Sequence, residues 1–141
     1  MPRAVDAIKI IAAVRIDDAP TSYTSKYVDV ERYDKVTFLL DTTKTSTPTS
    51  LTYTFESISD ITKVAADASG VDQPTGTARA IDMIISKAGD DAPVASVAHT
   101  ATATEWATFY PGFGVKWVRV VATGAGTTSS LYFDSTVWLY G

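Results

Sequence analysis

The chain has 141 residues, of which 45% are hydrophobic and 20% charged, with a formal net charge of −4. That balance suits one globular domain able to bury its own core and argues against disordered and membrane-spanning classes. Without cysteine, a disulfide framework, a thiolate zinc site and a Cys nucleophile fall away together. Lys and Arg are scattered singly in an acidic chain, so no nucleic-acid surface is expected.

Met1 to Asp6 leads into Ala7-Ile8-Lys9-Ile10-Ile11-Ala12-Ala13-Val14, an apolar run interrupted by Lys9 and closed by Arg15. It lacks the unbroken core of a signal peptide and is too short to cross a bilayer. It reads as a first strand, Ile8 to Ile16, in a protein used where it is translated. Asp17-Asp18-Ala19-Pro20 is a corner, because Pro cannot donate to a ladder and paired Asp favours turns. Ser22 to Val30 is a second strand, with Tyr27, Asp29 and Glu31 alternating against Val28 and Val30. After the Glu31-Arg32-Tyr33-Asp34 break, Lys35 to Leu40 is a third strand, in which Val36-Thr37-Phe38-Leu39-Leu40 is almost wholly apolar and suggests burial on both faces or a place at the centre of a sheet.

Thr42 to Ser50 contains Pro48 and reads as a loop or frayed edge. Leu51, Tyr53 and Phe55 then alternate with Thr52, Thr54 and Glu56, the clearest two-residue period in the chain. Ile58, Ile61, Val64 and Ala65 fall at helical spacing and predict one short helix around Ser59 to Ala66, ended by Ser69-Gly70. Val71 to Gly76 is expected as loop and Thr77 to Lys87 as strand. Gly89-Asp90-Asp91-Ala92-Pro93 is a turn, and Val94 to Thr104 is small and β-prone. Pro111-Gly112-Phe113-Gly114 turns the chain into the strand Val115 to Val121, which Gly124-Ala125-Gly126 breaks. Leu131 to Tyr140 is the last strand, with Val137 and Leu139 opposing Trp138 and Tyr140.

About eight or nine short strands separated by turn signals predict an all-β fold, an antiparallel β-sandwich of jelly-roll type, as one domain over 1–141. The expected core is Val36, Phe38, Leu40, Leu51, Tyr53, Phe55, Trp117, Val118 and Val120. The repeated Asp-Asp-Ala-Pro at Asp17 and Asp90 is read as shared turn chemistry rather than duplication.

The residues carry no catalytic pattern. His99 is the single histidine, read as a surface or strand-filling residue, and no Gly-x-Ser-x-Gly elbow is present. Facing carboxylates for glycoside hydrolysis need a cleft that so small a scaffold rarely offers. Asp17-Asp18 or Asp90-Asp91 could offer oxygens to calcium, against a turn-capping role. No enzyme activity, metal or cofactor is expected. Trp106, Phe109, Tyr110 and Phe113 gather around the Pro-Gly turn. They suit a protein interface, a sugar-stacking platform, or a fold-back over one end of the sandwich.

Several segments together resemble small β-sandwich virion proteins of tailed bacteriophages. These are Thr21-Ser22-Tyr23-Thr24-Ser25-Lys26-Tyr27-Val28-Asp29-Val30, Tyr33-Asp34-Lys35-Val36-Thr37-Phe38-Leu39-Leu40, Thr52-Tyr53-Thr54-Phe55-Glu56-Ser57 and Val118-Arg119-Val120-Val121-Ala122-Thr123-Gly124. The likeness is one of pattern over about two thirds of the chain, and the aromatic loop before Val115 has no counterpart in it. It implies a non-enzymatic capsid decoration or cement subunit, often a homotrimer, made in the host cytoplasm and located in the virion. The implied partners are a major capsid protein and other copies of the chain, with no nucleic acid and no membrane. The alternative is a carbohydrate-binding β-sandwich module.

Overall fold

A computed structural model of the chain describes residues 7–17, 21–45, 50–58, 63–85, 93–111, 115–126 and 132–141. The strands are β1 (Ala7–Asp17), β2 (Ser22–Thr24), β3 (Val28–Asp29), β4 (Val36–Thr45), β5 (Ser50–Ile58), β6 (Lys63–Ala66) and β7 (Asp72–Thr75). They continue as β8 (Arg79–Ile81), β9 (Met83–Ile85), β10 (Pro93–Val94), β11 (Ser96–His99), β12 (Ala103–Phe109), β13 (Trp117–Ala125) and β14 (Tyr132–Tyr140). All described pairings are antiparallel.

One sheet runs β1-β14-β4-β12-β9-β10, and the other β11-β5-β13-β2, with β3 also on β13 and β8 also on β5. β2 and β3 are two pieces of one strand, both paired with β13. β11 and β8 lie in succession along one edge of β5, against Leu51–Thr54 and Phe55–Ser57. Reduced in this way, the sheets read β1-β14-β4-β12 and β2/β3-β13-β5-β8/β11. Alternate turns of the chain fall in opposite sheets, which is the jelly-roll winding expected from the strand pattern.

The inward rows close the core. Val36, Phe38 and Leu40 face Leu51, Tyr53 and Phe55 across the sandwich, and Val118 and Val120 join them, all fully or almost fully buried. The Phe38 and Phe55 rings meet at 5.2 Å with a 38° tilt. Trp117 is also buried, but on the outer side of β13. There it forms a second small cluster with Tyr27 and Ile58.

Five expectations need correction. Lys63–Ala66 is a strand, not part of a helix: it pairs with β7, Val64 opposite Pro74 and Ala65 opposite Gln73. Residues 59–62 lie outside the described residues. The reversal is set by Asp67, whose Oδ1 accepts the Ser69 and Val71 amides at 2.8 and 3.0 Å. Gly70 completes the turn at φ 82. The expected loop Val71 to Gly76 therefore contains β7, where Pro74 is tolerated on a two-stranded hairpin.

Thr42 to Thr45 extends β4, and Thr42 is buried. The strand expected from Thr77 to Lys87 divides at Asp82, β8 joining one sheet and β9 the other. Finally, β13 runs through Gly124 to Ala125. A Cβ at Gly124 would lie 1.9 Å from the Asp17 carbonyl oxygen, so the glycine permits close approach of β1. Asp18 to Pro20 and Asp90 to Ala92 lie outside the described residues, and with them most of the repeated tetrapeptide and the carboxylate pairs considered for calcium.

Candidate binding face and the buried polar network

Outward residues of the larger sheet build a surface with an apolar centre. Register places Lys9, Trp138, Leu39 and Trp106 side by side on β1, β14, β4 and β12. At ordinary strand spacing that row is roughly 14 Å long. Lys9 Nζ sits 4.7 Å from the centre of the Trp138 ring. From the adjacent row Tyr140 leans over Trp106, their rings 5.5 Å apart and inclined at 55°.

Hydroxyls border this centre. On one side Thr37 Oγ1 and Thr108 Oγ1 are 3.1 Å apart. On the other, Thr104 Oγ1 donates to Asp41 Oδ1 at 3.0 Å, and Thr136 Oγ1 accepts the Ala13 amide at 3.2 Å. A dry aromatic centre with a polar rim is the anatomy of a protein-recognition surface. The inner face of the sheet beneath packs into the sandwich core.

Of the four aromatics grouped by sequence around the Pro-Gly turn, the three described do not share one face. Trp106 is 42% exposed on the outer face, and Tyr110, just past the end of β12, is 61% exposed. Phe109 pairs with inward-facing Val36 and packs against the core. Phe113 lies outside the described residues. The neighbours that Trp106 acquires instead, Trp138 and Tyr140, come from the last strand.

Of the two readings of His99, surface or strand-filling, the second holds: it ends β11 and is 3% exposed. Its Nδ1 lies 2.8 Å from Thr42 Oγ1 and its Nε2 3.4 Å from Glu105 Oε2. Thr42 Oγ1 contacts Tyr53 OH at 2.7 Å, and Tyr53 OH contacts Ser135 Oγ at 2.7 Å. The chain of contacts links β12, β11, β4, β5 and β14 and so ties the two sheets together through the core. Burial pushes the Tyr53 hydroxyl pKa up, opposed by its bonds to Ser135 and Thr42. Hydroxyls here serve cohesion: each satisfies another buried polar group.

On the opposite sheet, Arg119 bonds Glu56 Oε2 through both Nε and Nη2 at 2.6 Å. Its guanidinium carbon also lies 4.5 Å from the Tyr27 ring centre. The β6–β7 hairpin is fastened nearby. The Gln73 side chain accepts the Tyr27 amide at 2.7 Å and donates to the Tyr27 carbonyl at 3.1 Å. Lys26 reaches Ser69 Oγ and, at 2.9 Å, Asp67 Oδ2. These bonds, with those from Ser69 and Val71, hold the Asp67 carboxyl well below the usual carboxylate range. Among the described residues no cluster of three or more His, Cys, Asp or Glu side chains is placed to hold a metal ion.

No family model matches the chain, and no curated protein matches it. The fold is similar to a chain in the solved structure of infectious bursal disease virus, Gt strain, with 9% identity and a TM-score of 0.47. The match covers 97% of this chain and 31% of that one, so the chain spans about a third of the length of its structural relative.

Proposed function

We propose that the protein is a non-enzymatic structural subunit of a virion. In this reading it docks through the outer face of the larger sheet, as a capsid decoration or cement protein of a tailed bacteriophage. The observation that carries the docking is the Lys9–Trp138–Leu39–Trp106 row with Tyr140 beside it. Aromatic side chains on a preformed sheet lose little conformational entropy on burial, which makes them effective anchors. The capsid assignment is supported by the sequence resemblance and agrees with the jelly-roll winding, a scaffold shared by capsid and lectin domains. The partners are other copies of the chain, as a homotrimer, and the major capsid protein.

Trp106→Ala and Trp138→Ala remove the centre of the face without touching the core. Both should stay folded by circular dichroism while the homo-oligomer dissociates or capsid binding is lost. Unchanged assembly and capsid binding in both variants would overturn the reading. Sugar binding through these same rings by a monomer would replace it with the carbohydrate module.

A further inference from the structure

A second surface, which shares only Lys9 with the aromatic row, has the shape of a small-molecule site. A cleft of about 420 Å³ opens along the edge of the smaller sheet, between the start of β1, the β2–β3 strand and the tip of the β6–β7 hairpin. Five large hydrophobic side chains are exposed among the described residues, and three of them, Ile8, Tyr23 and Val71, line this cleft. Trp117 contributes to its wall, and the Trp117 indole Nε1 is buried with no hydrogen-bond acceptor among the described residues. Unmet buried donors are rare in folded proteins and point to a missing partner.

An added β-strand is a poor fit for this edge. The backbone groups such a strand would need are already taken, since Gln73 holds both the amide and the carbonyl of Tyr27. The Lys26 carbonyl accepts the Ser25 hydroxyl at 3.0 Å. Charges around the opening balance in number: Lys9 and Lys26 line it together with Asp29 and Asp72. A balanced rim selects neither anion nor cation. What remains is an apolar wall with an aromatic ring, polar groups at the mouth, and a volume within the roughly 300–1,000 Å³ of ordinary ligand pockets.

We infer that this cleft binds a neutral saccharide, one face of a sugar ring lying against Tyr23 and its hydroxyls meeting the polar rim and the Trp117 indole. The inference does not depend on the docking face and gives the same protein a means of holding a glycan.

The test uses the intact chain labelled with nitrogen-15, whose three tryptophans give three indole N–H signals. Trp106→Phe and Trp138→Phe identify two of them, leaving the third to Trp117. The probes are the methyl glycosides of glucose, galactose and N-acetylglucosamine, each raised to ~50 mM so that millimolar affinity is visible. At least one probe should shift the Trp117 indole signal and leave those of Trp106 and Trp138 in place. Tyr23→Ala and, separately, Val71→Ser should each weaken that probe at least about five-fold. Val71→Ser changes only an exposed side chain and so guards against misfolding of the first variant. No response to any of the three probes, or a response confined to Trp106 and Trp138, overturns the inference.

Discussion

Tyr53→Phe probes the polar link between the sheets with the smallest possible change. The substitution deletes one hydroxyl and keeps the ring, so the packing of this fully buried side chain survives. Two contacts of 2.7 Å are lost, to Thr42 and to Ser135. Thr42 retains His99 Nδ1 as a partner. Ser135, fully buried, is left with a poorly satisfied hydroxyl. A net bond contributes about 1 kcal/mol and a stranded buried hydroxyl costs about 1–3 kcal/mol, so the loss should be roughly 2–4 kcal/mol. With an unfolding entropy of about 2 cal/mol/K per residue, that lowers the melting temperature by roughly 7–14 °C. The cycle is completed with Ser135→Ala. In the Tyr53→Phe background this second change should cost less than it does alone, because both ends of the bond are then apolar. Calorimetric melts of the four proteins give the answer. A Tyr53→Phe loss below ~0.5 kcal/mol, or strictly additive variants, would refute the view that these hydroxyls hold the sheets together.

Phe38→Ala and Phe55→Ala, which open facing sides of the same aromatic contact, should each cost ~3–5 kcal/mol in denaturant unfolding. Gly124→Ala should destabilise by ~1–3 kcal/mol through overpacking, because the new methyl meets the Asp17 carbonyl; a neutral result would mean that β1 does not approach β13 as described. Asp67 gives a pH dependence. Its folded pKa lies below the ordinary carboxylate value, so its stabilisation is present above about pH 4 and is lost as pH falls through the lower folded value. The melting-temperature gap between the parent and Asp67→Asn should therefore be widest near neutrality and narrow as the solution is acidified.

Much of the sandwich can be read from local alternation. Leu51, Tyr53 and Phe55 alternate strictly with polar neighbours, and all three are buried. Val36 to Leu40 is apolar except for Thr37, and its strand lies between β14 and β12 at the centre of the larger sheet, buried on the inner side and half-buried on the outer. What escapes local reading depends on distant contacts. The spacing of Ile58, Ile61, Val64 and Ala65 suits a helix. The hairpin prevails because Asp67 fixes a turn and Lys26 and Gln73 bind it to the sheet edge, contacts that join residues more than 40 positions apart. His99 looks idle among Ala and Thr, since its partners Thr42 and Glu105 come from other strands. The sheet switch at Asp82 leaves the two-residue period intact and so gives no signal of its own.

The candidate face was partly legible. Opposition of Trp138 and Tyr140 to Val137 and Leu139 already assigns two aromatics to the side away from the core. Trp106 and Phe109 are adjacent in sequence to the same turn, yet three positions along a strand is an odd step and puts them on opposite faces. Only the register of β14 on β4 and of β4 on β12 shows which aromatics meet.

Sedimentation equilibrium of the unmodified chain beside Trp106→Ala tests the docking face most directly. The account predicts that the parent associates to three times the 15.1 kDa chain mass, and that Trp106→Ala sediments as a folded 15.1 kDa monomer. A parent that stays at 15.1 kDa across the accessible concentration range, or a variant that assembles as the parent does, would contradict it.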